Sequence, residues 1–522
     1  MRETKIGFVG TDGRTFLAAL ETNRSKSDLY PGAYQGIVVR GTGAMPDFAA
    51  RMKWPLQFLP VDDNSMPAYA AALIKAFKNG NLDIAMVMPE GLLFEGLVNT
   101  VKKAGFGDRV IGLDRKGAKY EADKIACKKY CREAKIPVAP AWQEVNAQDY
   151  AAVLKTCLNY LHNYGGAVLK YPYSAGGKGA RIILNTWEIK DAYAGLINDY
   201  HATYTQQCGG QSKWPLLIEA RMSGVEISFT ILVDKNGHYQ ILPTAMDYPE
   251  RFAGPPGIDN PITGGMGSIS PHPLESPALI QLAENTIARP LIKIMKNQGA
   301  LRPCVLYPGC FVSFAGNFKP TAIRVCEINI RPGEPEFQPI VKRLRNLGAL
   351  VKAMVEGNLH EVRPEIREDQ VSLCVALVTG PGGPKQQKGY PWSLTKGEPV
   401  EIDFDYFEKK KITVIPSAMD YADGVFKSDG SRVAYLVANA SIRENQSRGQ
   451  VVETLRQKLL NAFDNGKIRV LPRENMHGNR LNLRRDIGSH YQKAELLAAE
   501  PVEHISPAPP ADLKALPHIS FG

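Results

Sequence analysis

Short apolar runs that each close in a glycine or proline turn, separated by amphipathic stretches, fill the first ~113 residues. Lys5–Gly10 (KIGFVG) is one such run, Gly36–Arg40 (GIVVR) before Gly41-Thr42-Gly43 is another, and Leu82–Met88 (LDIAMVM) before Pro89-Glu90 is a third. The stretch Tyr69–Asn79 between them has helical spacing. Strand, helix, strand in this order predicts βαβ units on a parallel sheet, with ligand atoms beyond the C-terminal ends of the strands. Glycines at 7, 10 and 13 give G-x-x-G-x-x-G rather than G-x-G-x-x-G, which argues against a nicotinamide oxidoreductase.

The chain continues well past this unit: 522 residues at roughly 100–200 per domain predict three or four domains. Tyr120–Lys135 reads as one helix stopped by Ile136-Pro137. Ala167–Lys170 and Arg181–Leu184 read as a hairpin about a glycine-rich turn. Leu216–Glu219, Glu226–Val233, Cys310–Phe314 and Thr321–Ile330 read as strands, and Gln338–Val355 as a helix. Strands Val371–Val378, Thr413–Ile415 and Val433–Asn439 and helix Arg448–Asp464 follow. Residues 492–522 hold five prolines and little periodicity, and read as an extended tail.

The formal charge of +10 raises the question of nucleic acid, but the only basic run is Glu408-Lys409-Lys410-Lys411, and no aromatic RNA-binding motif or zinc-finger spacing occurs. The balance suits small anionic substrates as well, so no nucleic-acid partner is expected. No apolar stretch approaches ~18 residues, so no membrane partner is expected either. The first residues, MRETKIGFVGTDGR, lack the apolar core of a signal peptide. Eight scattered cysteines form no C-x-x-C and read as reduced thiols of a cytoplasmic protein. Cys127 and Cys131, one helical turn apart with no histidine at ligand spacing, read as core packing.

Three strings carry chemistry. In Lys170-Tyr171-Pro172-Tyr173-Ser174-Ala175-Gly176-Gly177-Lys178-Gly179, glycines let backbone N–H groups close on a polyphosphate while lysines offset its charge. It is not a P-loop, because Gly179 rather than Ser or Thr follows Lys178. In Cys326-Glu327-Ile328-Asn329-Ile330-Arg331, strand alternation puts Glu327, Asn329 and Arg331 on one face. Two oxygen donors suit Mg²⁺, and the guanidinium suits charge developing on a transferred group. The third string, Thr263-Gly264-Gly265-Met266-Gly267-Ser268, follows a long Pro/Gly-rich loop of the kind that tends to be functional.

Taken in this order with Glu219 and Glu226 between them, these strings resemble the ATP-grasp family, specifically glycinamide ribonucleotide synthetases. Glu121–Pro137 is similar to the family's lysine-bearing helix, Ile218–Phe229 (IEARMSGVEISF) to its hinge, and Thr263–Pro271 (TGGMGSISP) to its signature. Glu327–Gln338 (EINIRPGEPEFQ) is similar to E-x-N-x-R-F-G-D-P-E, and Arg485-Asp486-Ile487-Gly488 to its C-terminal R-x-D-I-G. The resemblance implies an α/β protein with a Rossmann-like N-terminal domain (1–113) and an ATP-grasp domain (114–345) with a mobile lid (about 138–222). A mixed α/β C-terminal domain (346–491) and the tail (492–522) complete it. It implies an ADP-forming ligase that joins a carboxylate to an amine through an acyl phosphate in purine synthesis, as a monomer or homodimer. ATP and Mg²⁺ or Mn²⁺ are the cofactors. Lys124, Lys170, Gly176, Gly177 and Gly179 are implied at the phosphates, with Glu219, Ala220, Arg221 and Met222 at the adenine and Glu226 at the ribose. Glu327 and Asn329 are the implied metal ligands, and Arg331, Lys178 and Asp247 the catalytic groups. Gly10, Gly13, Arg14, Pro89, Glu90, Thr263, Gly264, Gly265, Met266 and Gly267 are implied at the substrates.

The departures from the family pattern fall on the substrate side. The first turn reads Gly10-Thr11-Asp12-Gly13-Arg14-Thr15-Phe16, so Asp12 replaces a glycine and Thr15-Phe16 a Glu-His pair, while Arg14 still offers a fork to an anion. Thr42, Tyr248, Ile262, Pro332 and Glu334 also differ from the family. Changes of this kind predict altered specificity, so a paralogous ligase for another carboxylate and amine is one alternative. An ATP-binding scaffold without ligase activity is another, against which the retained Lys124, Lys170, Glu327 and Asn329 argue.

Overall fold

The structure is a computed structural model and describes residues 2–24, 26–40, 43–173, 179–208, 213–257, 259–380, 389–391, 395–472 and 479–499. Gly176, Gly177, Lys178 and Thr42 lie outside the described residues, as does the chain from 500 onward.

The N-terminal runs form a five-stranded parallel sheet in the order Gln57–Pro60, Tyr34–Arg40, Thr4–Val9, Ile84–Val87, Val110–Ile111. The order reverses between the strands Thr4–Val9 and Ile84–Val87, the kind of switch point at which open parallel sheets take up ligands. There Gly10 adopts φ +141°, and a Cβ on it would lie 2.7 Å from Pro89 Cδ, so only glycine lets these two strand ends approach.

Two antiparallel sheets follow. The first runs Trp142–Asn146, Pro215–Ala220, Ala167–Lys170, Ala180–Ile183. It packs on helices Tyr150–Tyr164 and Glu188–Cys208 through a separate core that includes Val153, Leu169, Ile183, Leu196 and Ile218. Tyr171 stacks on Tyr200 at 4.2 Å within it, so the bulky Tyr171-Pro172-Tyr173 of the glycine loop serves packing. The second sheet is built on the long hairpin Cys304–Phe314 and Pro320–Asn329, with Val225–Ser228, Ile231–Val233 and Tyr239–Ile241.

The C-terminal sheet runs Met246–Asp247, Gly267–Ser270, Gln370–Thr379, Arg432–Ser441, Thr413–Pro416. It draws strands from both sides of residue 345, so the pairing of Gly267–Ser270 with Gln370–Thr379 lets the central and C-terminal parts share one core. The α/β class agrees with the sequence.

Four readings are corrected. Tyr120–Lys135 is two helices, Arg115–Ala122 and Lys124–Glu133, because Asp123 leaves helical geometry and its carboxylate accepts the Ile125 and Ala126 N–H groups at 3.0 Å as an N-cap. Gln338–Val355 is likewise two helices, Phe337–Arg343 and Leu347–Glu356. The strand expected to start at Cys310 starts at Cys304. The tail opens with a helix, Tyr491–Ala499, where Glu495 accepts the Arg448 and Gly449 N–H groups (3.2 and 2.7 Å) and so caps the neighbouring helix Arg448–Asp464.

Candidate active site

Strand Pro320–Asn329 and helix Lys124–Glu133 form one wall of a cleft, and strands Ala167–Lys170 and Pro215–Ala220 the other. Glu121, Lys124, Lys128, Lys170, Leu217, Cys326, Glu327, Asn329 and Arg331 line it. Lys124, Lys170, Glu327, Asn329 and Arg331, scattered over some 200 residues of sequence, thus converge as expected. Gly179, whose carbonyl accepts the Tyr171 N–H at 2.8 Å, lies beside the end of the Lys170 strand.

The helix break explains the position of Lys124. With Asp123 as cap, Lys124 becomes the first helical residue, and its own N–H donates to the Pro172 carbonyl at 2.7 Å. That bond ties the helix start to the base of the glycine loop and leaves Lys124 beside the Tyr173 carbonyl at 3.5 Å.

Lys170 lies 2.5 Å from Glu219 Oε2, and Lys128, which sequence reasoning missed, lies 2.7 Å from Glu219 Oε1. All three are buried. Burial alone would raise the Glu219 carboxyl, but Lys128 and Lys170 outweigh it and hold the group down at about 2. Lys128 also donates to the Val325 and Cys326 carbonyls at 3.2 and 2.8 Å, pinning the strand that bears Glu327 and Asn329 to the helix. The Glu219 side chain is therefore the hub of the cleft floor, and only its backbone is left for the adenine role expected of it. Ala220 and Met222 are buried, and Arg221 is exposed with its N–H on the Gly166 carbonyl.

Glu327 and Asn329 face the same way from adjacent outward positions. The Asn329 amide donates to the Tyr307 carbonyl and to Glu327 Oε1, both at 3.3 Å, which leaves its oxygen as the remaining donor. Burial works against ionisation of Glu327, yet Lys124 and Lys170 hold it below the usual carboxylate range. A carboxylate kept ionised next to an amide oxygen is a hard-oxygen pair that fits Mg²⁺ or Mn²⁺.

Arg331 reaches across to the N-terminal domain, its Nε 3.0 Å from Glu90 and 3.8 Å from Glu121. Glu121 in turn accepts the Ile330 N–H at 2.8 Å. Burial, with Glu90 adding to it, pushes Glu121 up to about 7 against the pull of Arg331. Glu226 is exposed on strand Val225–Ser228, and the nearby Glu250, Glu327 and Glu336 raise its carboxyl above the usual range. Burial, then Glu336 and Glu226, raise Asp247 well above the usual carboxylate range, and its buried Oδ1 has no hydrogen-bond partner among the described residues.

The substrate side differs from expectation. Arg14 is 4% exposed, with its guanidinium on Asp12 at 2.6 Å, on the Pro332 carbonyl, and 3.6 Å from Glu334, so the fork expected to be open is internally engaged. Glu334 also pairs with Arg432 at 3.3 Å, and Arg432 donates to the Gly264 and Gly265 carbonyls. Phe16 is fully buried against Phe48 and Trp54, and Tyr248 is buried with its hydroxyl oxygen accepting the Gly488 N–H at 2.9 Å. These two departures from the family pattern are core residues. Met266 is also fully buried, and Gly265, at φ +92°, would place a Cβ 2.3 Å from Pro335 Cδ, so this part of the signature string packs against the Gly333–Glu336 turn. Thr263 accepts the Gly265 N–H at 3.1 Å, and the Gly264 N–H donates to the Tyr390 hydroxyl at 3.0 Å. A second cleft beside them is lined by Asp12, Arg40, Glu334, Asp420, Asp429 and Arg432. Gly10 and Gly13 flank Asp12 on this side, and Pro89 and Glu90 lie at the end of the neighbouring strand.

Residues 122–337 match the family model for the phosphoribosylglycinamide synthetase ATP-grasp (A) domain. The chain is 28% identical over 373 residues to phosphoribosylamine–glycine ligase of Rhodopirellula baltica, covering 71% of this chain and 79% of the relative. It is 26% identical over 453 residues to the enzyme of the same name from Escherichia coli O157:H7, covering 86% and 94%. The solved phosphoribosylamine–glycine ligase of Thermotoga maritima shares the fold with a TM-score of 0.64 at 19% identity, over 92% of this chain and 100% of that one. A biotin carboxylase from Campylobacter jejuni shares it with a TM-score of 0.58 at 14% identity, over 94% and 95%. With the lysines, the Glu-x-Asn pair and the arginine gathered in one cleft, residues 122–337 form a domain that matches the phosphoribosylglycinamide synthetase ATP-grasp model in sequence and in the placing of its charged groups.

Proposed function

We propose that this protein is an ATP-dependent, ADP-forming carboxylate–amine ligase that joins glycine to phosphoribosylamine through an acyl phosphate. The observation that carries the reading is the convergence of Lys124, Lys170, Glu327, Asn329 and Arg331 on one cleft between two antiparallel sheets. The shared name of the relatives supports the substrate pair, as does the burial of Phe16 and Tyr248, which takes two of the departures out of the acceptor site.

Lys124 and Lys170 bind the phosphates of ATP in this reading, with Lys178 and the Gly176–Gly179 turn as the lid. Burial works against the charge on Lys170, but Cys326 and Glu219 more than restore it, so the ammonium persists when the lid excludes water. Glu327 and Asn329 would hold Mg²⁺ or Mn²⁺, which offsets charge on the transferring phosphoryl group when bound. Arg331, steadied by Glu90 and Glu121, faces the oxygen on which charge builds. No enzyme nucleophile is needed: the substrate carboxylate attacks the γ-phosphate and the amine then displaces phosphate. Eight unpaired cysteines suit a cytoplasmic setting.

A coupled ADP-release assay with glycine and phosphoribosylamine tests the reading. Turnover that requires both substrates is expected, and Glu327→Ala should lower it by ~100-fold or more. Turnover unaffected by Glu327→Ala would remove the assignment.

A further inference from the structure

Remote from the nucleotide cleft, Asp234 opens the turn between strands Ile231–Val233 and Tyr239–Ile241. Its carboxylate is fully buried. Oδ1 accepts the Asn236 and His238 N–H groups at 2.8 and 2.9 Å, and Oδ2 accepts the Leu359 N–H at 3.1 Å. Three backbone donors from two segments thus hold one carboxylate in a single orientation. His238 Nδ1 stands 2.9 Å from the same Oδ2, and His360, next in the chain after Leu359, brings its ring to 4.2 Å from that of His238. One ligand atom each from Asp234, His238 and His360 lies within 4.8 Å of the others.

We infer that Asp234, His238 and His360 form a binding site for a first-row transition dication, with Zn²⁺ the chemical type. Ligand atoms around Zn²⁺ at ~2.0–2.1 Å stand roughly 3.4 Å apart in tetrahedral geometry. The Asp234–His238 spacing is already short enough, and the two imidazoles, 42% and 53% exposed, are free to close the remainder. Two imidazole nitrogens and one carboxylate select borderline metals such as Zn²⁺, Co²⁺ or Ni²⁺ and are poor ligands for Mg²⁺. The site is chemically distinct from the all-oxygen pair Glu327 and Asn329.

The surroundings are built before any metal arrives. Asn236 Nδ2 donates to the Gly357 carbonyl at 2.9 Å and Gln240 Nε2 to the Leu359 carbonyl at 3.1 Å, so hairpin and turn are docked more than 115 residues apart in sequence. A metal bound by His238 and His360 adds a cross-link between the central part of the chain and the segment that leads into the C-terminal sheet. Its effect is on stability rather than on chemistry.

The test titrates Zn²⁺ by calorimetry into untagged, full-length, metal-stripped protein in saturating Mg²⁺. One Zn²⁺ per chain, a raised Tm, and Co²⁺ absorption bands of mixed nitrogen and oxygen ligation are expected. His360→Ala and His238→Gln should each weaken Zn²⁺ binding by ~10-fold or more while leaving Mg²⁺-dependent ADP formation unchanged. Absence of saturable binding, or binding undiminished in both variants, overturns the site. Because ADP formation is read separately, that failure stays distinct from failure of the ligase reading.

Discussion

Glu219 shows how one buried carboxylate organises a catalytic cleft. Two lysines at 2.7 and 2.5 Å hold it ionised, and each of those lysines also touches the strand that bears Glu327. Lys128→Met leaves this carboxylate with one partner and two carbonyls without their donor. Stability should fall by roughly 3 kcal/mol in urea unfolding, and the KM for ATP should rise more than that for glycine. Glu121 offers a pH signature. Its buried folded carboxyl sits near 7 against 4.5 unfolded, so the folded state binds the extra proton between those values. Stability of the ligand-free protein should therefore decline as pH rises from about 4.5 through 7, and Glu121→Gln should flatten that part of the profile. The Glu327, Asn329 and Arg331 alternation could be read directly because a strand repeats every two residues. Lys128 could not, because nothing local tells a buried lysine from an exposed one on the same helix.

Among the elements, the break at Asp123 matters most. It turns what periodicity presents as one helix into two, and thereby places Lys124 at a helix start against Pro172. Asp123→Ala should remove about 1 kcal/mol of stability and let the two helices merge, with nucleotide affinity falling in an equilibrium titration. The signal was present in the sequence, since aspartate is a strong cap. It was masked because the apolar spacing continues across it on both sides. The C-terminal helix Tyr491–Ala499 was hidden for a different reason: prolines downstream dominate the composition of the segment, while its anchoring bonds run from Glu495 to Arg448 and Gly449.

Across the molecule, the ionic chain Asp12–Arg14–Glu334–Arg432 joins the N-terminal parallel sheet, the turn after strand Pro320–Asn329 and the C-terminal sheet. Arg432 extends it to the backbone of Gly264 and Gly265. The three parts that border the second cleft are thus held in one register by charges none of them could bury alone. Glu334→Gln should raise the KM for the amine about 10-fold while leaving that for ATP nearly unchanged, as measured by steady-state kinetics. An equal rise for both would place the chain outside acceptor binding.

Local strings along the chain carried the ligand chemistry: which lysines flank a glycine turn, which oxygen donors alternate on a strand, and where a parallel sheet begins. These follow from turn geometry and from periods of two and 3.6 residues, which act over a few neighbours. Folding settled which charges meet. Arg14 and Pro332, separated by 318 residues, join at a distance no motif records, and that contact closes a guanidinium that the string around it presents as open. A charge is free or engaged according to what packs over it, and that is fixed by the assembled core.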